Sequence, residues 1–141
     1  MLSLARASAI VDAVLVTARE LALRPVAVTV LDPGGHPIVL KREDQAGILR
    51  HDVAHAKAWG CLGMGQGGGT LARHADRSPT FFTALVAISG GRMASSRGGV
   101  LIRDSDGTLL GAVGVSGDRP DNDEAAATAG IESVGLIADV G

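Results

Sequence analysis

The stretch Leu110–Gly130, LGAVGVSGDRPDNDEAAATAG, constrains the fold more than any other, because three kinds of backbone follow one another within it. Its first part is a short apolar run of the kind a buried strand needs. Ser116–Pro120 is turn chemistry, and Asp121 onward has helical composition. Asp121 with Glu124 three residues on has the form of a capping box, and Asp123 and Glu124 complement the positive end of a helix. Capping leaves Asp118 and Arg119 unexplained. A buried strand running through a polar turn into a helix marks a layered helix-and-sheet protein, with the turn at the sheet's end.

The rest of the chain fits that architecture. Ser3–Leu23 carries Leu4, Ala7, Ile10, Val11, Val14, Ala18, Leu21 and Ala22 at three- and four-residue spacing, an amphipathic helix that ends before Pro25. Val26–Leu31 reads as a buried strand. The turn Asp32-Pro33-Gly34-Gly35-His36 returns it as a second strand over Pro37–Lys41. Arg42–Gly47 is expected as a loop and Ile48–Met64 as a helix. Gly65–Thr70 (GQGGGT) breaks the chain and is expected to be a flexible loop, followed by a helical turn over Leu71–Asp76. Ser78-Pro79 supplies an N-cap and a first-turn proline for a helix across Thr80–Ser89. Gly90–Gly99 is loop-like, with part of it available as an edge strand. Gly99–Arg103 and Thr108–Val115 form a hairpin through Asp106-Gly107, and Asp121–Ala138 closes the chain as a helix. Hairpins imply antiparallel pairing, so the expectation is one α+β domain over residues 1–141.

Composition bounds the function. A length of 141 residues suits one domain. Aromatic residues are only Trp59, Phe81 and Phe82, so Val, Leu, Ile and Ala must build the core. The net charge of −2 and the absence of aromatics interleaved with basic residues argue against a nucleic-acid binder. Cys61 is the sole cysteine, which excludes an intrachain disulfide and any multi-cysteine metal site. The N-terminal segment is broken by Arg6, Asp12, Arg19 and Glu20 and does not read as a signal peptide. With no long uncharged apolar span, a cytoplasmic protein without membrane contact is expected.

Few residues offer chemistry. On a helix of about 3.6 residues per turn, Leu49, Val53, Lys57, Gly60 and Cys61 share one face. His51, His55, Ala58 and Leu62 share the other. Lys57 then lies in an apolar stripe, where it either finds a carboxylate or anionic ligand or snorkels its ammonium to water. His51 and His55, one turn apart, either grip a metal with help from His74 or Asp44 or form a solvated face; no HEXXH pattern is present. GQGGG lacks the lysine and hydroxyl residue of a phosphate loop, and GVSGD at Gly114–Asp118 lacks a dinucleotide fingerprint. Cys61 reads as an inert core thiol.

Four segments together resemble one family: VTVLDPGGHPIVLKRED, VAHAKAW, SRGGVLIRDSDGTLLGAVGVSGDRPDNDEAAATAGI and the leading helix. The set is similar to the GlcG/HbpS-like group, the haem-degrading domain also found at the end of PduO-type proteins, across about Ser3–Leu136. The resemblance implies an antiparallel sheet of about five strands flanked by helices in a profilin- or roadblock-like three-layer arrangement, and homo-oligomers. It maps the family's retained positions onto Asp32, Gly35, Arg42, Lys57, Gly98, Gly99, Gly111, Gly114, Ser116, Gly117, Asp123 and Glu124. The run Trp59–Met64 and the segment RHADRSPTFFT depart from the family pattern.

The combined expectation is a homo-oligomeric protein that binds a small carboxylate-bearing metabolite near the end of Leu109–Ser116, acting as a lyase or isomerase. Lys57 would supply charge or acid/base chemistry, with Asp123 and Glu124 beside it. Arg42, Gly98, Gly99, Ser116, Gly117 and Asp118 would hold the ligand, and His51 or His55 would reach it from a neighbouring subunit. The alternative is a non-catalytic haem- or iron-binding module with His51, His55 or His74 as axial ligand.

Overall fold

The computed structural model describes residues 1–141. Helix α1 (Leu4–Glu20) begins where Ser3 Oγ accepts the Arg6 N–H at 3.1 Å. It buries Ala7, Ile10, Val11, Val14 and Ala18 completely. Leu4 and Leu21, expected on the same stripe, are exposed at the two ends of the helix. A hairpin follows: β1 (Ala27–Leu31) and β2 (Pro37–Arg42). Asp32 Oδ1 accepts the N–H groups of Gly34 (2.9 Å) and His36 (3.0 Å), which closes the turn. Arg42 is the last residue of β2, not a loop residue, because it still pairs with Ala27.

Helix α2 (Arg50–Met64) starts two residues later than the sequence suggests and ends at Gly65, whose φ of +67° is the left-handed C-cap that glycine tolerates. Helices α3 (Gly68–Arg77) and α4 (Pro79–Ile88) come next, then the hairpin β3 (Gly99–Arg103) and β4 (Leu109–Ser116). Helix α5 (Pro120–Ser133) and β5 (Ile137–Asp139) close the chain.

Two expectations need correction here. The glycine run is not a flexible loop: only Gly65–Gly67 break the chain, and α3 begins at Gly68. The reason is packing. Gly69 N–H donates to Val140 O at 2.8 Å, and a side chain at Gly67 would run into the Val140 backbone, one at Gly68 into the Ser96 carbonyl. The closing helix is also shorter than expected. Gly135, at φ +76°, turns the chain back, and Ile137–Asp139 pair antiparallel with β3. That strand, not any part of Gly90–Gly98, forms the sheet edge.

The antiparallel sheet runs β2-β1-β4-β3-β5. Helices α1 and α5 pack on one face through Val28, Val30, Val100, Ile102, Val113 and Val115. Helices α2, α3 and α4 meet Leu31, Leu101 and Ala112 on the other. Alternate strand residues therefore feed two cores, which explains why β1 reads as a continuous apolar run although its partners are antiparallel. This is the expected three-layer α+β arrangement. Close approach of α2 to the sheet depends on Gly99 and Gly114, where a Cβ would meet the Lys57 and Ala54 carbonyls. Helix α4 buries only Phe82 and leaves Phe81, Val86 and Ile88 exposed. No helix is long and apolar enough to cross a membrane.

Candidate functional site

Helix α2 buries Ala54, Lys57, Ala58, Gly60 and Cys61. The buried sector thus lies between the two faces expected from the sequence: Ala58 is inside, Leu49 is outside, and His51 and His55 flank it. Lys57 does not snorkel. Its side chain is 5% exposed, and its Nζ donates to Asp123 Oδ2 at 3.0 Å and to Val115 O at 3.0 Å. Gly98 makes room for it, with a φ of +104° and a would-be Cβ 2.8 Å from Nζ.

Asp123 is the other half of this pair, 1% exposed. Its Oδ1 accepts the Asp118 N–H at 3.0 Å. Burial pushes its carboxyl above the ordinary value, against the opposing pull of the Lys57 ammonium and the Asp118 N–H. The pair joins α2, β4 and α5 at one point.

The capping box expected at Asp121 and Glu124 is absent. Pro120 occupies the first helical position, Arg119 is the N-cap, and Asp121 is two residues too far in. Asp118 anchors the turn instead. Its carboxylate accepts Asn122 Nδ2–H, Arg24 N–H and Arg119 N–H, each at 2.8 Å. Those bonds hold its carboxyl well below the usual range. Glu124 is separate from the Lys57 pair: it faces Arg97 Nε at 3.3 Å, with Oε2 buried and making no hydrogen bond.

Of the remaining expected residues, Ser116, Gly117 and Asp118 stay together at the end of β4 and the others lie apart. Ser116 is buried, and its Oγ accepts from Arg50 Nη1 at 3.2 Å. Gly98 and Gly99 serve close packing of α2 on the sheet. Arg42 lies on a separate cleft beside Arg19, Pro25 and Glu43. His51 Nε2 stands 3.5 Å from Asp52, and neither it, His55 nor His74 lines a cavity. No group of three His, Cys, Asp or Glu side chains gathers to hold a metal ion. Cys61 is buried, and burial pushes its thiol up to about 12, so it is inert.

Two concavities lie at opposite ends of β1 and β4. Pairing of Ala27 with Ser116 and of Leu31 with Ala112 sets that separation. Near Ser116, a polar cleft of about 330 Å³ is lined by Arg24, Gln45, Gly47, Arg50, Gly117 and Asp118. At the turn end lies a groove of about 530 Å³, walled by Leu2, Pro33, Ile38, Leu109 and Leu110. His36 stands on its rim, 80% exposed, with Nδ1 3.3 Å from Asp32 Oδ1. The His36 backbone N–H in turn holds the Asp32 carboxyl below its ordinary value.

The sequence reasoning passed over His36 as a turn residue. Its signal was spacing: a histidine four residues after a turn aspartate brings an imidazole back onto a carboxylate.

The geometry accords with what the chain is similar to. A family model described as "Haem degrading protein HbpS-like" matches residues 2–132. No curated protein sequence matches. Among solved structures, PduOC in a haem complex is similar at 25% identity and a TM-score of 0.85, over 96% of each chain. The Klebsiella pneumoniae protein ORFY is 26% identical, with a TM-score of 0.83, over 92% of this chain and 88% of that one. A double mutant of Streptomyces reticuli HbpS is 29% identical, with a TM-score of 0.82, over 94% and 86%.

Proposed function

The chain belongs to the HbpS-like haem-degrading protein family, and on that premise we propose that it binds haem in the groove beside His36. The observation that carries this reading is the pairing of an apolar slot with an exposed imidazole whose Nδ1 lies 3.3 Å from a carboxylate oxygen. A metal-ligating histidine characteristically donates its second ring N–H to an acceptor, which fixes the tautomer and leaves the other nitrogen for the metal. Asp32 Oδ1 stands near enough to Nδ1 to take that part, which would leave His36 Nε2 to hold the iron. Leu2, Ile38, Leu109 and Leu110 supply the apolar surface a porphyrin needs without requiring aromatic residues. When bound, haem supplies the iron chemistry; the chain's own residues bind it, orient it and keep water from one face.

This reading replaces His51, His55 and His74 with His36 as the axial ligand. Haem titration against Ile38→Glu tests it. Ile38 is half-buried on the groove wall and also packs on the main core, so the charge should weaken haem affinity by tenfold or more, measured below the variant's own melting transition. Equal affinities would remove haem from the groove.

The finer expectation, a lyase or isomerase working through Lys57, Asp123 and Glu124, draws support from an ammonium and a raised carboxylate at the end of β4. It requires Lys57 to leave both of its present partners, and no cavity reaches Nζ. The geometry favours a positioning role for the pair. For the homo-oligomer that the family resemblance implies, Phe81 and Ile88, two turns apart on one exposed face of α4, are the apolar surface a second copy would cover.

A further inference from the structure

We propose that the cleft between the start of α2 and the end of β4 is a second, independent binding site, for a compact hydroxylated monocarboxylate. Arg50 is half-buried at one wall. No carboxylate lies within salt-bridge distance of its guanidinium, whose one hydrogen bond within the chain goes to the neutral Ser116 Oγ at 3.2 Å. Arg24 stands on the other wall. Its Nε is 3.6 Å from Asp118 Oδ2, and it is 72% exposed, so its planar fork is still largely free.

Charge sets the ligand's valence. The cleft holds two guanidinium groups, Arg24 and Arg50, and one carboxylate, Asp118. Asp118 stays ionised because its oxygens already accept three N–H groups, so it neutralises one arginine and not both. One positive charge remains, which a single carboxylate matches and a dianion exceeds. A guanidinium presents paired N–H donors that suit the two oxygens of a carboxylate.

Lining chemistry sets the rest. Pro25 is the one apolar side chain around the cleft, which leaves little surface for an alkyl or aromatic acid. Gln45 supplies an amide. The backbone N–H groups of Gly47 and Gly117 make no hydrogen bond within the chain, so both donors are available. Gln45 is held at φ +67°, a conformation uncommon for a residue with a side chain, which fixes the loop that forms this wall. Such a set of donors and acceptors suits hydroxyl groups beside the carboxylate.

The cleft lies at the far end of β1 and β4 from His36, so this inference does not rest on haem binding. Calorimetric titration of the full chain with glycerate tests it, with propionate, glyceramide and inorganic phosphate as comparison probes. Saturable binding of glycerate is expected, with propionate and phosphate weaker and glyceramide silent. Arg50→Gln should lower glycerate affinity by roughly tenfold, the loss of one charge-assisted contact. Arg24→Gln serves as the second variant should Arg50→Gln fold poorly. Absence of saturable heat with glycerate would overturn the proposal. So would affinity unmoved in both arginine variants, or phosphate binding more tightly than glycerate.

Discussion

Lys57 shows how far one residue's surroundings were legible. Its place among Val53 and Cys61 allows two outcomes, a buried ammonium with a partner or one that snorkels to water, and the fold takes the first. The partner was legible too, since Asp123 lies in the acidic turn that ends the most informative stretch. Pro120 starts α5 one residue earlier than expected, and Asp123 lies on the inner face of that helix. Removing one member of a buried pair leaves an uncompensated charge, at a cost of about 3–5 kcal/mol, whereas replacing both with apolar residues is often neutral. Lys57→Met alone should therefore lower the urea midpoint sharply, and Lys57→Met with Asp123→Leu should recover part of it. A single variant as stable as wild type would refute the positioning role. Asp118 gives the pH dependence. Its carboxyl is lowered in the folded state, so its stabilisation is complete above the ordinary carboxylate range and is lost as pH falls through the folded value. Asp123 is shifted the other way, so its contribution falls as pH rises through its folded value. Urea midpoints at pH 7 and pH 3 should show a smaller acid loss in Asp118→Asn than in wild type.

At the level of elements, the two hairpins and α1 were readable because turn chemistry and apolar period agree. Strand β5 was not, because three residues after a helical pattern carry no period of their own. It exists through pairing with β3, with Arg103 Nε donating to Asp139 Oδ2 at 2.8 Å. The glycine run misled for a related reason. Glycine signals both flexibility and close approach, and only the neighbours decide which. Gly68 lies against the Ser96 carbonyl and has an ordinary negative φ, so Gly68→Ala tests packing without backbone strain. It should cost about 1–3 kcal/mol by the usual scale of overpacking, measured by urea denaturation. An unchanged midpoint would return the segment to a loosely packed loop.

Over the whole molecule, the sheet separates two kinds of surface. One end of β1 and β4 gathers arginines around a polar cleft, and the other gathers Leu2, Ile38, Leu109 and Leu110 around His36. The fold was legible from the sequence because its family pattern and its periodicity point the same way. The haem groove was not, since its walls come from the N-terminus and two separate hairpins, which only the folded chain brings together. The most direct measurement is the absorption spectrum of the haem-loaded chain with each histidine replaced in turn. His36→Ala is expected to lose the Soret band of bound haem, while His51→Ala, His55→Ala and His74→Ala keep it. A band that survives in His36→Ala and disappears in one of the other three would contradict the account.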